Sequence, residues 1–284
     1  NSIGQMIVQT LRLPRMIAGI VVGISFAVSG ALMQGVTNNP MASPSILGIN
    51  AGASFGLAVG MILFPYLTLN GSILFSFAGA ALATLFILAL AKRVGGKATP
   101  VYLALAGTAI SAVFVAVTHM LVVYFQVAQE LSFWTVGGIS GIRMEQVLLV
   151  LPWTLIGILI AMYVSKSVTL LSFGEEVAIG LGSNLNRVRV LSGLTVLILS
   201  GSAVALAGPI GFVGLVIPHI TRKLVGIDYR LVIPFSALFG AVLVMIADVV
   251  ARIVNPPFET PLGAITALVG VPFFIYLANR KGGK

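Results

Sequence analysis

Residues that could carry chemistry are scarce in this chain. Seven acidic residues, two histidines and no cysteine occur among its 284 residues. His119 and His219 have no cysteine, carboxylate or second histidine at ligand spacing, so the sequence predicts no metal site. A G-x-x-x-x-G-K-[ST] phosphate loop, a G-x-S-x-G elbow and an H-E-x-x-H motif are all missing. We therefore expect neither catalysis nor nucleotide binding by this chain itself.

One acid lies inside an apolar segment. Asp248 precedes Arg252 by four residues, a helical spacing at which the two side chains can pair. An acid within a membrane span is a functional candidate by default. The neutralising arginine favours a structural pair, and the alternative is a proton site in an ion-coupled carrier. No other carboxylate lies inside a predicted span, which disfavours the carrier.

The elements that position these residues are membrane helices. Hydrophobic residues make up 58% of the chain, charged residues 8%, and the mean hydropathy is +1.11. A spanning helix needs about 20 apolar residues, and helices satisfy their own backbone groups in lipid. We therefore predict an all-α, polytopic transmembrane bundle of about nine helices in a single domain, 1–284. The predicted spans are 16–36, 46–66, 73–91, 98–126, 147–165, 190–207, 209–221, 231–253 and 261–279.

The distribution of basic residues predicts the orientation. Lysine and arginine concentrate in cytoplasmic loops, and a cytoplasmic C-terminus puts twelve basic residues inside. Only four then lie outside, namely Arg12, Arg15, Arg143 and Arg252. The net charge of +9 follows from this asymmetry, so we predict no nucleic-acid partner. The odd number of spans leaves Asn1 outside without an initiator Met, and we expect a further helix to precede it.

The longest predicted cytoplasmic insert covers 165–189. Gly174 followed by Glu175 and Glu176 is typical of a helix start, where acids complement the helix dipole. Gly182 is typical of a helix stop. These signals predict two short helices on the inner membrane face. They form either a connector without a partner or a docking element for a cytoplasmic protein.

Two further segments interrupt the apolar pattern. Residues 29–54 and 207–222 are rich in polar residues or in Gly and Pro, and irregular backbone at membrane depth is tolerated where it is buried or lines a cavity. For the first segment, loop structure and lining of a translocation path remain equally open. Its candidate path residues are Gln34, Asn38, Asn39, Ser43 and Asn50.

Several motifs together resemble one family, the FecCD-type permeases, which are membrane subunits of bacterial ABC importers for iron siderophores, haem and vitamin B12. They run in order along essentially the whole chain. The matching segments are RLPR (12–15), SGALMQGVTNNPMASPSILGINAG (29–52), GEEVAIGLG (174–182), GPIGFVGLVIPHITR (208–222), ADVVAR (247–252) and PLGAITALVGVPFFIYL (261–277).

The resemblance implies partners and roles. Family members have about ten helices, so we expect their first helix to precede Asn1. They pair with a second permease subunit, identical or homologous, and with two cytoplasmic ATPases that bind ATP and magnesium. The GEEVAIGLG match implies ATPase coupling through Gly174, Glu175, Glu176, Ala178, Leu181 and Gly182. The RLPR and ADVVAR matches imply that an extracytoplasmic binding protein docks on Arg12, Arg15 and Arg252.

The resemblance also implies a cargo and a location. We expect a multi-pass protein of the bacterial cytoplasmic membrane, with a cytoplasmic C-terminus and no cofactor of its own. NPMASPSILGIN is closer to the ferric-siderophore branch than to the vitamin B12 branch. A ferric siderophore is therefore the expected cargo, with haem or cobalamin as the nearest alternatives. A non-transporting membrane scaffold is a third, less favoured class.

Overall fold

A computed structural model describes residues 3–93, 100–256 and 258–281, and this part of the chain contains helices and no strand. The all-α prediction is confirmed. Residues 98 and 99 of the fourth predicted span, and the extreme ends of the predicted domain, lie outside the described residues. The α-helices are α1 Ile3–Ile7, α2 Leu13–Thr37, α3 Ile49–Leu63, α4 Leu69–Arg93, α5 Pro100–Phe125, α6 Ala128–Thr135, α7 Met144–Ser172, α8 Glu175–Gly180, α9 Leu185–Ala207, α10 Val213–Val225, α11 Tyr229–Ile253 and α12 Leu262–Lys281.

Each of the nine predicted spans overlaps one of these helices. Among the residues that the structure describes, six helices are long and apolar enough to cross a membrane: α2, α4, α5, α7, α9 and α11. Two predicted spans need correction: the helix expected over 209–221 lies four residues further on as α10, which also has 13 residues, and the α-helix within the span expected over 46–66, α3, has only 15 residues. At 1.5 Å per residue these helices are about 20 and 22 Å long, shorter than a hydrocarbon core of about 30 Å. The sequence pattern also missed α6, which follows α5 after a short turn.

Glycines let the central helix α2 touch its neighbours through the backbone. A Cβ added to Gly23 would lie 2.3 Å from the carbonyl oxygen of Gly240 in α11. A Cβ added to Gly30 would lie 1.8 Å from the carbonyl oxygen of Gly214 in α10. Neither position has room for a side chain, so the two glycines fix how closely these helices pack.

The two ends of α2 define the two ends of the bundle. Its first turn carries Arg15, and we call the surroundings of Arg15, Asp248, Arg252 and Glu259 the arginine end. At the other end, the Nδ2 atom of Asn38 donates a hydrogen bond of 2.9 Å to the carbonyl oxygen of Leu171 in the last turn of α7. Residues 173–184 follow directly, and we call this region the insert end. The 25 residues of α2 separate the ends by about 37 Å.

Candidate functional site

The arginine end is built around one buried carboxylate. Asp248 is 2% exposed and accepts hydrogen bonds from two arginines on different helices. Arg15 places Nε 2.9 Å and Nη2 2.8 Å from the Oδ1 atom of Asp248. Arg252 donates through Nη2 to the Oδ2 atom. The predicted Asp248–Arg252 pair is therefore present, and it is one half of a bridge that also ties α2 to α11.

A second carboxylate closes this cluster from the loop before α12. The Nη1 atom of Arg15 lies 2.7 Å from Oε1 of Glu259. The hydrogen bond from Arg15 lowers the pKa of Glu259 below its ordinary value, and a further hydrogen bond from Ser140 acts in the same direction against partial desolvation. A cavity of about 350 Å³ lies beside the cluster, and Arg15, Ser140, Asp248 and Glu259 are among its lining residues.

The predicted docking arginines all lie at this end, although they differ in exposure. Arg12 is exposed at the end of a π-helix, Val8–Arg12, that leads into α2. The side chain of Arg252 is 41% exposed and that of Arg15 only 15%. Arg12 and Arg252 therefore offer exposed donors, whereas Arg15 is largely committed to internal carboxylates.

The insert end presents a short helix with an apolar outer face. Gly174 is the N-cap of α8 and adopts a φ of +117°, a backbone conformation that glycine adopts without a Cβ clash. Within α8, Ala178 is fully buried against the bundle, while Leu181, the C-cap, is 64% exposed. Arg189 of α9 pairs with Glu175 at the first turn. The helix is thus held on one side and open on the other, and Glu176 lies on its exposed surface.

The predicted boundaries of this insert need correction. Sequence patterns indicated two short helices within 165–189, but α7 continues to Ser172 and α9 already begins at Leu185. Only α8 is a separate helix. Gly182 does end it as expected, with a φ of +78° and a hydrogen bond from its N–H to the carbonyl oxygen of Ile179.

The polar segment after α2 divides into two groups. Ser43 and Asn50 line a cavity of about 240 Å³. Phe26, midway along α2, and Gly211, just before α10, line the same cavity. The first turns of α3 and α10 thus meet half-way along the bundle. This arrangement is typical of the broken helices that line cavities in transporters.

The remaining polar residues of this segment hold the fold together. Gln34 is 3% exposed, and its Nε2 atom donates to the carbonyl oxygens of Gly214 and Leu215 at 3.1 and 3.3 Å. Its Oε1 atom accepts a hydrogen bond from Arg222. Asn38 caps α2 in the left-handed conformation.

Asn39 accepts a hydrogen bond of 2.9 Å from the backbone N–H of Met41. Gln34, Asn38 and Asn39 are therefore all engaged in local or interhelical bonds. A pathway role for any of the five polar residues stays a prediction.

Sequence reasoning missed the long-range partners in these sites. Arg15 and Asp248 are 233 positions apart, and no local spacing relates them. Glu259 is one of several acids in the predicted outer loops, and no pattern singled it out. The link between Gln34 and α10 was equally invisible, since Gln34 carries no charge and two of its three partners are backbone carbonyl oxygens.

Comparison with known proteins decides the family. The FecCD transport family matches residues 1–280. The chain belongs to the FecCD transport family. This FecCD protein is 48% identical to the iron(3+)-hydroxamate import system permease protein FhuB of Bacillus subtilis, over 97% of this chain and 72% of that one. It is 40% identical to the cobalamin import system permease protein BtuC of Halobacterium salinarum, over 98% of this chain and 74% of that one.

A solved structure supports the same assignment. The FecCD protein superposes with a TM-score of 0.88 on a structure described as an inward-facing conformation of a metal-chelate type ABC transporter. The two chains share 30% identity, and the match covers 99% of this chain and 89% of the other. The helix order described above is therefore that of an ABC importer permease, a multi-pass membrane protein.

Proposed function

We propose that this chain is the permease subunit of an ATP-driven importer that carries an iron chelate, with a ferric hydroxamate as the first candidate. The observation that carries this proposal is the 48% identity to an iron-hydroxamate permease along nearly the whole chain. A cobalamin importer is the second candidate, because a cobalamin permease is 40% identical. Haem import remains a further alternative within the same class.

The insert end is the proposed contact for the ATPase. Exposed apolar side chains of α8 and of its C-cap suit burial in a groove of a partner protein, namely Val177, Ile179 and Leu181, which are 47, 59 and 64% exposed. Gly174 and Gly182 mark the two ends of this helix, and Ala178 and the Glu175–Arg189 pair anchor it to the bundle. A helix fixed on its inner side can transmit a push to α7 and α9. ATP and magnesium would bind to the partner ATPases.

The arginine end is the proposed docking surface for a binding protein that delivers the chelate. Guanidinium groups pair with carboxylates in a bidentate manner, and Arg12 and Arg252 expose theirs. We expect Arg12→Glu, Arg15→Glu and Arg252→Glu together to weaken binding of the chelate-loaded binding protein at low salt. Arg15 and Arg252 also neutralise the buried Asp248. The exposed Arg12→Glu is therefore measured alone beside the triple variant and should weaken binding in the same direction. Arg143→Glu, at an exposed position before α7, is the control for added negative charge. Unchanged affinity of the triple variant would remove the docking role.

A second permease subunit is the proposed neighbour of α5. This helix is apolar, yet only 6% of its most apolar window is buried within the chain. Lipid or a second permease subunit must cover so long an apolar surface in the membrane. We propose an identical or homologous subunit, and a cytoplasmic-membrane location with the insert end facing the cytoplasm.

Transport measured in proteoliposomes tests the whole proposal. The permease, its ATPase and its binding protein are reconstituted, and uptake of radiolabelled ferric hydroxamate is measured with ATP inside. We expect uptake that needs ATP and survives an uncoupler of proton gradients. Labelled cobalamin in place of the iron chelate tests the second candidate. Uptake driven by a proton gradient without ATP would refute the importer class in favour of an ion-coupled carrier.

A further inference from the structure

The guanidinium of Arg15 is shared between a fixed partner and an exposed one. Its Nε and Nη2 atoms face Asp248, which is 2% exposed, while Nη1 faces Glu259, whose side chain is 40% exposed. Asp248 is a buried carboxylate between two arginines, so separating it from Arg15 has a high cost in free energy. Glu259 makes one ion pair at a partly exposed position and accepts one further hydrogen bond, from Ser140, so its release costs less. Only the Glu259 side of Arg15 is therefore exchangeable.

The charges of this cluster cancel. Arg15 and Arg252 contribute two positive charges, and Asp248 and Glu259 contribute two negative charges. With Glu259 in place, a carboxylate arriving from a partner meets a group with no net charge. When Glu259 moves away, the same group carries one positive charge with a free Nη1 donor. The neighbouring cavity of about 350 Å³ offers room for an entering carboxylate.

Glu259 also lies in a segment through which its movement can reach α12. It belongs to the segment that joins α11 to α12, only three residues before Leu262. The N–H of Thr260 donates a hydrogen bond of 3.1 Å to the carbonyl oxygen of Ala251, which holds the segment near the end of α11. Release of Glu259 would free the side-chain link between α2 and the start of α12.

We propose that Glu259 is an exchangeable internal carboxylate that occupies Arg15 until a carboxylate of the docked binding protein replaces it. The proposal rests on the docking role proposed above. In it, Asp248 is the permanent partner that orients Arg15 and Arg252. Glu259 competes with the carboxylate of the binding protein for Arg15, and this competition sets the affinity. When Glu259 is displaced, its movement transmits the docking event to α12.

Chemical labelling of Arg15 tests the exchange without any binding protein. The purified permease is treated with phenylglyoxal, and labelling of Arg15 is followed by peptide mass spectrometry. Because an exposed ion pair is weak, we expect Glu259→Ala to raise the labelling rate about two- to fivefold. Glu145→Ala removes an exposed acid from the start of α7 and should leave the rate unchanged. Equal labelling in Glu259→Ala and the unmodified protein would overturn the proposal.

Affinity measurements then separate the exchange from docking itself. The probe is the chelate-loaded binding protein of the same transport system, titrated onto the reconstituted transporter. Glu259→Ala should tighten binding about two- to fivefold, and the same change should have no effect in an Arg15→Gln background. If the triple arginine variant binds normally, docking fails. If the triple variant binds weakly but Glu259→Ala changes nothing, docking stands and the exchange is refuted.

Discussion

Replacing Asp248 by asparagine tests the role of the buried carboxylate. Asn keeps the size of the side chain and one acceptor oxygen, but it removes the negative charge that Arg15 and Arg252 share. Two guanidinium groups then lie close together with no buried counter-ion. We expect the variant to fold less stably and the joint between α2 and α11 to loosen.

The expected loss in the free energy of unfolding follows from how deeply Arg15 and Arg252 are buried. Removing one partner of a buried ion pair costs about 3–5 kcal/mol. Arg15 is 15% exposed and Arg252 41% exposed, so water recovers part of this cost. We therefore expect Asp248→Asn to lower the free energy of unfolding by about 2–3 kcal/mol.

Unfolding in mixed micelles of mild detergent and dodecyl sulphate measures this difference. The matched control is Asp228→Asn, because Asp228 pairs with the nearby Arg230 at the surface and Asn also serves as an N-cap. The reasoning is refuted if the two variants are equally stable. ATP-driven uptake per folded transporter should persist in Asp248→Asn when the binding protein is saturating, because Asp248 orients the docking arginines. Loss of uptake with unchanged stability and unchanged affinity for the binding protein would instead identify Asp248 as a proton site.

Three other predictions follow from contacts described above. Leu181→Ser removes exposed apolar surface from α8, so we expect weaker ATPase binding, measured by co-purification, with unchanged stability. Gly30→Ala puts a Cβ 1.8 Å from the carbonyl oxygen of Gly214, and this overpacking should lower the free energy of unfolding by about 1–3 kcal/mol. The pKa of Glu259 is lowered by Arg15, so the ion pair stabilises the fold above the unfolded pKa and is lost as the pH falls through the lower folded value. Carbon-13 NMR of labelled glutamate carboxyls should show Glu259 still ionised at a pH equal to the ordinary pKa of a glutamate side chain.

Each of these has a matched control. Leu63→Ser removes a leucine of similar exposure, 61% against 64%, from α3, and it should leave ATPase binding intact. Gly138→Ala adds a Cβ with no atom within 4 Å and should be tolerated. The Glu259→Gln variant assigns the NMR signal by its disappearance. A signal that titrates at or above the ordinary glutamate pKa would contradict the ion pair.

Local sequence patterns predicted the helices well, because each membrane helix consists of a continuous run of apolar residues. All nine predicted spans overlap observed helices. The Asp248–Arg252 pair was equally accessible, since its spacing of four residues is a property of one helix. Gly174 and Gly182 marked the ends of α8, because positive φ angles favour glycine.

Sequence reasoning missed the contacts between residues on different helices, because these contacts depend on which helices pack together in the fold. Arg15 could not be matched to Asp248 without knowing that α2 packs against α11. Gln34 appeared to be a candidate for the translocation path because a buried amide and a path-lining amide look alike in sequence. The position of α10 was hidden as well, since residues 209–212 are apolar enough to be counted in the predicted span, which therefore begins four residues too early.

The glycine contacts of α2 have a mechanical consequence. Where backbones touch directly, as at Gly23 with Gly240 and at Gly30 with Gly214, two helices cannot slide past each other without colliding carbonyl groups. We expect α2, α10 and α11 to travel as one rigid block during the transport cycle. The movements that open and close the permease would then take place in the peripheral helices. We expect the largest movement in α5, because little of its apolar surface is buried within its own chain.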